Sequence, residues 1–186
     1  NWENVTYIEP FVGGGAMLFY MLQRYPNIQH AIINDINPDL ATCYRTVRDN
    51  PEQLIESLRD IENAYLAIET EDGRKDFFMA ARERYNEKNL DPIENSTKFF
   101  FLNRTCFNGL YRVNKKGFFN VPFGKYSNPT ICDPETIRKD SELLQRVEIL
   151  NSDFEATFEH AHGDTLFYFD PPYRPLTSTS AFTSYA

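Results

Sequence analysis

Val5-Thr6-Tyr7-Ile8-Glu9-Pro10-Phe11-Val12-Gly13-Gly14-Gly15 is the stretch whose reading decides the fold. Val5 to Ile8 is a short β-forming run, and Ala16 to Arg24, beyond the glycines, repeats its apolar positions at helical spacing. Strand, glycine-rich turn and helix in this order form the first half of a nucleotide-binding βαβ unit. The glycines allow positive φ and let the backbone pass close to a ligand. A second strand is predicted at Ala31-Ile32-Ile33, ending in Asn34-Asp35, and Asp35 stands 22 positions beyond Gly13. A ribose-binding carboxylate is expected roughly 20 residues after such a turn.

The turn departs from a pyrophosphate fingerprint. Leu18 occupies the place of the third glycine, and no Lys-Ser/Thr pair follows, which excludes a P-loop. A glycine turn with a ribose carboxylate but no phosphate signature points to an adenosyl ligand, and S-adenosylmethionine (SAM) is the candidate. The alternative is a merely flexible turn.

Near the other end, Thr165-Leu166-Phe167-Tyr168-Phe169 reads as a buried strand that runs into Asp170-Pro171-Pro172-Tyr173. A carboxylate, a rigid turn and an aromatic ring at a strand's carboxyl end occupy the place where open α/β sheets build active sites. The carboxylate and a backbone carbonyl can accept the two hydrogens of an exocyclic amine, and the ring can stack on a flat base. The set therefore suits methyl transfer to such an amine. Taken alone, the tetrapeptide also reads as a strand end followed by a proline turn.

Composition sets the frame. The chain has 186 residues, 41% hydrophobic and 15% aromatic, enough for one domain with an insertion and a real core. No run approaches 18 consecutive apolar residues, and no charged-then-apolar leader precedes Val5, so neither a membrane span nor a signal peptide is expected. Cys43, Cys106 and Cys132 are odd in number and far apart, which reads as reduced thiols in a cytoplasmic protein. His30, His160 and His162 lack metal-ligand spacing, and no metal site is expected.

The formal net charge of −8 argues against a nucleic-acid partner, but its distribution reverses that argument. Lys98, Arg104, Arg112, Lys115, Lys116 and Lys125 lie within the 29 residues from Lys98 to Tyr126, which contain no Asp or Glu. The rest of the chain holds 13 basic and 27 acidic residues, a net of −14. A basic island on an acidic body is an electrostatic footprint for phosphates, with an ordinary solvated face as the alternative.

Three parts are expected along the chain. Residues 1–49 form the cofactor-binding half, closed by a helix that starts at Asn37-Pro38-Asp39 and runs through Arg48. Residues 50–140 break the βαβ rhythm. They hold a helix from Pro51 to Tyr65, a turn at Glu69-Thr70-Glu71-Asp72-Gly73, a helix to Lys88, the basic island, and a helix from Pro134 to Leu144. Within the island, Leu110 to Val113 and Phe118 to Val121 read as the arms of a hairpin turned by Asn114 to Gly117. Residues 141–186 return to the sheet, with a strand at Val147 to Leu150, a short helix from Phe154 to Ala161, and the strand ahead of Asp170. Arg112, Lys115 and Lys116 on a two-stranded ribbon can reach phosphates or guanine edges in a major groove. Asn114 and Asn120 either read adenine or hold the turn.

These segments together resemble Dam-type (D12 class) DNA adenine-N6 methyltransferases. The matching residues are Tyr7 to Gly15, Asn34 to Asn37, Asn108 to Asn114, Phe119 to Gly124, Asn151 to Phe154 and Asp170 to Tyr173. The resemblance implies an α/β, Rossmann-like SAM-dependent sheet with an inserted, mostly helical target-recognition domain carrying a β-hairpin. It implies cofactor contacts at Glu9, Pro10, Phe11, Gly13, Gly15 and Asp35. Asp153 would accept from the cofactor's adenine amine and Phe154 would pack on that ring; a helix cap and a core aromatic are the alternative. Asp170, Pro171, Pro172 and Tyr173 would be catalytic. Arg104, Asn108, Arg112, Asn114, Lys115, Lys116, Asn120 and Lys125 would face double-stranded DNA at a GATC-like site, the target adenine being flipped out.

By the same resemblance, further helices and strands follow the catalytic loop, so the chain reads as a fragment of a longer bacterial or phage-encoded enzyme lacking the C-terminal part of its sheet. A cognate restriction endonuclease is a possible functional partner. Two rivals stand beside this reading. One is a methyltransferase acting on a protein glutamine or on RNA; Asp170, where those enzymes typically carry Asn, and the basic island argue against it. The other is a truncated DNA-binding module without catalysis.

Overall fold

The computed structural model of the chain describes residues 5–172. The described chain divides into two compact units, one made of residues through Pro51 together with Glu135–Pro171, the other of Glu52–Pro134.

The first unit is a parallel sheet with helices. Its strands are β1 (Thr6–Glu9), β2 (His30–Asn34), β3 (Val147–Leu150) and β4 (Thr165–Phe167), in the order β3-β2-β1-β4. Thr6 pairs with His30 and Thr165, and Ile33 with Ile149, so the strands keep a common direction and their carboxyl ends share one edge. Tyr7, Ile8, Ala31, Ile32 and Ile33 are fully buried, as central strands covered on both faces require. Helix α1 (Ala16–Arg24) buries Leu18 and Leu22. Helix α2 (Pro38–Asp49) starts as expected: Asn37 caps it by accepting the Asp39 N–H at 3.1 Å, with Pro38 in its first turn.

Two readings of the last strand need correction. It ends at Phe167, short of the expected Phe169, and it is half-buried at the edge of the described sheet. Tyr168 still donates to the Ile8 carbonyl at 2.9 Å, but β1 ends at Glu9 and is followed by Pro10, which has no N–H, so the partner runs out. The segment Phe154–His160 is a 3-10 helix.

The second unit is helical: α3 (Pro51–Leu66), α4 (Glu71–Asn86) and α5 (Pro92–Thr105). The next helix, α6 (Pro134–Leu144), belongs from Glu135 on to the sheet unit, within which Ser141 Oγ and Gln145 Nε2 both donate to the Arg48 carbonyl. The aromatic residues build the core of the second unit: Tyr65 and Phe77 lie edge-on to Phe101 at 5.4 and 5.6 Å, and Phe78 meets Phe123 at 5.5 Å. The run 69–73 is not a turn. Thr70 caps α4 by accepting the Gly73 N–H, and Glu71 and Asp72 form its first turn at the positive end of the dipole.

The hairpin forms without ladders. Val113 and Phe119 make one antiparallel bridge, and Asn114 closes the turn by accepting from Lys116 N at 2.8 Å and Phe118 N at 3.2 Å. Strands do not develop because Asn86 of α4 takes both backbone groups of Phe119, accepting its N–H at 2.8 Å and donating to its carbonyl at 3.0 Å.

Gly124 sits where that loop returns to the end of α5. A Cβ there would lie 2.5 Å from the Cys106 carbonyl oxygen and 2.6 Å from the Tyr126 ring. Gly124→Ala should therefore destabilise the second unit by about 1–3 kcal/mol, the cost of overpacking against backbone. Urea unfolding of the variant beside the parent checks it.

Candidate functional site

The carboxyl ends of β1, β2 and β3 are tied together by Asn34, which is 1% exposed. Its Nδ2 donates to the Pro10 and Ser152 carbonyls, each at 3.1 Å, and its Oδ1 accepts from Ser152 N at 3.0 Å and Ser152 Oγ at 3.1 Å. Its own carbonyl accepts the Val12 N–H at 3.0 Å. One amide thus sets the loops that carry Glu9-Pro10-Phe11 and Asp153-Phe154.

The glycine turn is held from behind. Gly13 and Gly15 have φ of +49° and +73°. Asp35 accepts the Gly13 N–H at 3.1 Å, and the Tyr44 hydroxyl donates to the Gly13 carbonyl at 2.9 Å. A Cβ at Gly15 would collide with that hydroxyl, so glycine is required there for space as well as for φ. The other Asp35 oxygen accepts the Asn37 N–H at 2.9 Å. Asp35 therefore shapes the turn directly, and its carboxylate keeps lone pairs for a further donor.

In front of the turn lies a cavity of about 510 Å³, lined by Glu9, Phe11, the three glycines, Tyr168 and Asp170 among others. Its size falls in the range of small-molecule sites. Glu9 is 2% exposed, and its carboxylate accepts from the Tyr7 hydroxyl at 2.8 Å. Burial lifts the Glu9 carboxyl to about 7; the Tyr7 hydrogen bond opposes the rise and the Asp170 carboxylate adds to it. Burial likewise pushes the Tyr7 and Tyr44 phenols up. No Lys or Arg is among the described residues lining the cavity. Such walls accept an aromatic group beside Phe11 and favour a positive charge.

Phe154 is 36% exposed and its ring lies 5.2 Å from that of Phe11, tilted by 31°. Asp153 caps the 3-10 helix by accepting the Glu155 N–H at 3.0 Å. Asp170 lies on the cavity wall, Pro171 and Pro172 are exposed, and Tyr173 falls outside the described residues. Tyr44 and Tyr168 escaped sequence reasoning as site residues, and Asn34, though part of a matching segment, was given no role in it; its clamp rests on partners 24 and 118 positions away.

In the second unit, Lys115 and Lys116 are exposed at the tip closed by Asn114. Arg112 is folded onto the opposite arm, its Nε donating to Asn120 Oδ1 at 2.7 Å and its Nη2 to the Asn120 carbonyl at 3.2 Å. Asn108 is exposed with φ of +56°. Arg104 opens instead onto a shallow cavity of about 360 Å³ beside Tyr126 to Thr130. Lys125 pairs with Glu71 at 2.6 Å, so the basic island is neutralised at that point. Among the described residues no cluster of His, Cys, Asp and Glu is able to hold a metal ion, and no helix is long and apolar enough to cross a membrane.

The family profile described as D12 class N6 adenine-specific DNA methyltransferase matches residues 2–186. The chain is 49% identical over 181 residues to Type II methyltransferase M.MjaIII of Methanocaldococcus jannaschii, covering 96% of this chain and 62% of that protein. It is 41% identical over 184 residues to Type II methyltransferase M1.LlaDCHI of Lactococcus lactis subsp. cremoris, with 96% and 60% covered. It is 37% identical over 180 residues to a DNA adenine methylase of Vibrio cholerae, again with 96% and 60% covered. The chain thus spans about three fifths of the length of these relatives.

The buried Glu9 carboxyl has a consequence for stability. Its folded pKa, about 7, lies above the ordinary 4.5, so the native state holds the extra proton. The stabilisation is complete below about pH 4.5 and is lost as the pH rises through about 7. Glu9→Gln keeps an acceptor for Tyr7 and removes this loss. The difference in unfolding free energy between variant and parent should move in the variant's favour over that window, on the order of 2–3 kcal/mol. Urea unfolding of both proteins from pH 4.5 to pH 8 measures it.

Proposed function

The chain belongs to the D12 class N6 adenine-specific DNA methyltransferases, and on that premise we propose that it carries the cofactor site, the target amine site and the DNA-reading tip of an enzyme that methylates adenine N6 in duplex DNA. The observation that carries this reading is the cavity shared by the glycine turn and Asp170 at the carboxyl edge of the parallel sheet. That edge is where open α/β sheets bind their ligands. The proposed architecture is Rossmann-like, with residues 50–140 as an inserted target-recognition domain between cofactor and catalytic parts at 1–49 and 141–186. The proposed setting is the cytoplasm, with a restriction endonuclease as a possible functional counterpart.

SAM fits the walls described above: glycines that let backbone approach, the Phe11 ring, with Phe154 packed against it, for an adenine, and acidic side chains for a cationic centre. Glu9, Pro10, Phe11, Gly13, Gly15, Asp35, Asp153 and Phe154 would hold it. When bound, SAM supplies an electrophilic methyl group on a sulfonium. The remaining work belongs to the chain. Adenine N6 has its lone pair delocalised into the ring, and the base must be flipped out of the duplex at a cost of a few kcal/mol. The Asp170 carboxylate and the Pro171 carbonyl accept the two amine hydrogens and direct the lone pair at the methyl carbon. Pro172 fixes the turn and Tyr173 offers a stacking face. Positioning and electrostatics supply the acceleration.

On the DNA side, Lys115 and Lys116 at the exposed tip would meet phosphates. Arg104, Asn108, Arg112, Asn114, Asn120 and Lys125 complete the proposed surface, with a GATC-like sequence as its target. Lys125 would exchange Glu71 for a phosphate, an easy exchange because surface ion pairs are weak.

Labelled methyl transfer from SAM to duplexes of defined sequence tests the activity. Asp170→Ala should abolish transfer while cofactor binding stays nearly intact, since Asp170 faces the amine; a rate within about tenfold of the parent contradicts the role. Lys115→Ala should weaken binding to all sequences alike and reduce the salt slope of log affinity by about one. Salt titrations of GATC and scrambled duplexes read this directly.

A further inference from the structure

Resting on the cofactor reading above, we propose that Glu9 is the residue by which the site distinguishes the positively charged methyl donor from the neutral product, and that it does so by giving up a proton when the cation binds. The geometry of the cavity carries the argument. Methyl transfer needs the sulfonium beside the amine, and the amine is received by Asp170, so the positive charge must enter the cavity wall that Asp170 shares with Glu9. Glu9 is 2% exposed, and among the described residues its carboxylate accepts a hydrogen bond from the Tyr7 hydroxyl alone. Ionising it there removes a charge from water with little in return.

Among the described residues, the groups that face Glu9 offer no cation. Tyr7 stands beside it on β1, Tyr44 reaches toward it from α2, and Tyr168 and Asp170 follow β4. Asp35, past β2, acts on Tyr44 as Glu9 does. Among the described residues lining the space, the titratable groups are the carboxyls of Glu9 and Asp170 and the phenols of Tyr20, on α1, and Tyr168, and the positive potential is the amide end of α1 at Ala16 and Met17. A ligand that brings its own positive charge satisfies this wall, whereas a neutral one leaves Glu9 best protonated.

The step balances simply. The neutral Glu9 carboxylic acid and the cationic ligand become a carboxylate–cation pair, and one proton goes to solvent. After transfer the sulfonium is a neutral thioether, the pairing is gone, and Glu9 recovers a proton from solvent as the product leaves. Donor and product carry the same adenosine and the same amino-acid end, so a difference between them isolates the sulfonium. The elevated carboxyl of Glu9, about 7, puts this exchange within the working range of pH.

Calorimetric titration of the chain with SAM, with S-adenosylhomocysteine (SAH), and with an analogue bearing an ammonium in place of the sulfonium tests the proposal. In buffers of different ionisation heat at pH 7, SAM and the ammonium analogue should each release about half a proton per site, and SAH close to none. SAM affinity should rise several-fold from pH 6 to pH 8 while SAH affinity stays level. Glu9→Gln, which keeps the Tyr7 hydrogen bond, should flatten that rise and reduce the SAM-to-SAH preference at least about fivefold. Equal proton release by SAM and SAH in the parent, or an undiminished preference in Glu9→Gln, overturns the role of Glu9 while leaving the cofactor site standing. Failure of the parent to bind any of the three ligands overturns both.

Discussion

The hydrogen-bond set of one buried amide underlies the site. Asn34 uses both donors and its acceptor oxygen on the backbone and side chains of the loops after β1 and β3. A parallel sheet does not by itself align the loops at its carboxyl edge; it fixes only the strands. Here the loop bearing Glu9, Pro10 and Phe11 and the loop bearing Asp153 and Phe154 are registered through the same side chain. The Phe11–Phe154 ring pair is the visible result. A buried amide with all its partners rigidifies what it touches, and with one missing it becomes a liability.

Around this clamp the charges are arranged for a ligand. The glycine turn is braced by Tyr44 and Asp35 from behind, and its front faces an acidic cavity. The acids Glu9 and Asp170 in that cavity lack basic partners among its described lining residues, which is costly unless the visiting group is cationic. In the second unit the sign is reversed. Its exposed tip carries Lys115 and Lys116, while Arg112 and Asn120 brace each other and shape the loop. On the proposed function, each unit presents the charge opposite to that of its own ligand, the cofactor for the sheet unit and phosphate for the helical one.

Much of this was legible in the sequence, for local reasons. The β1–glycine–α1–β2 order, the Asn37-Pro38 helix start and the Asn114 turn are each written within a few residues, and all three appear as read. What escaped is long-range. Asn86 captures Phe119 from 33 residues away and prevents a strand ladder, and Tyr44 reaches Gly13 across 31 positions. Lys125 finds Glu71 across 54 positions, which no charge count over the island reveals. Strand β4 stops early because Pro10 ends the partner strand, a rule visible only once β1 and β4 are known to be neighbours. The elevated carboxyl of Glu9 depends on burial, which a motif does not state.

The most direct measurement is amide hydrogen exchange of the chain with and without SAM, followed by mass spectrometry. Peptides covering Glu9 to Met17, Asn34 to Asn37 and Asn151 to Glu155 should gain protection together, because Asn34 and Asp35 couple those loops. Peptides covering Asn108 to Asn120 should not change until duplex DNA is added. Protection elsewhere on SAM addition, or at the glycine turn without the loop at Asn151 to Glu155, would contradict the account of a single clamped site.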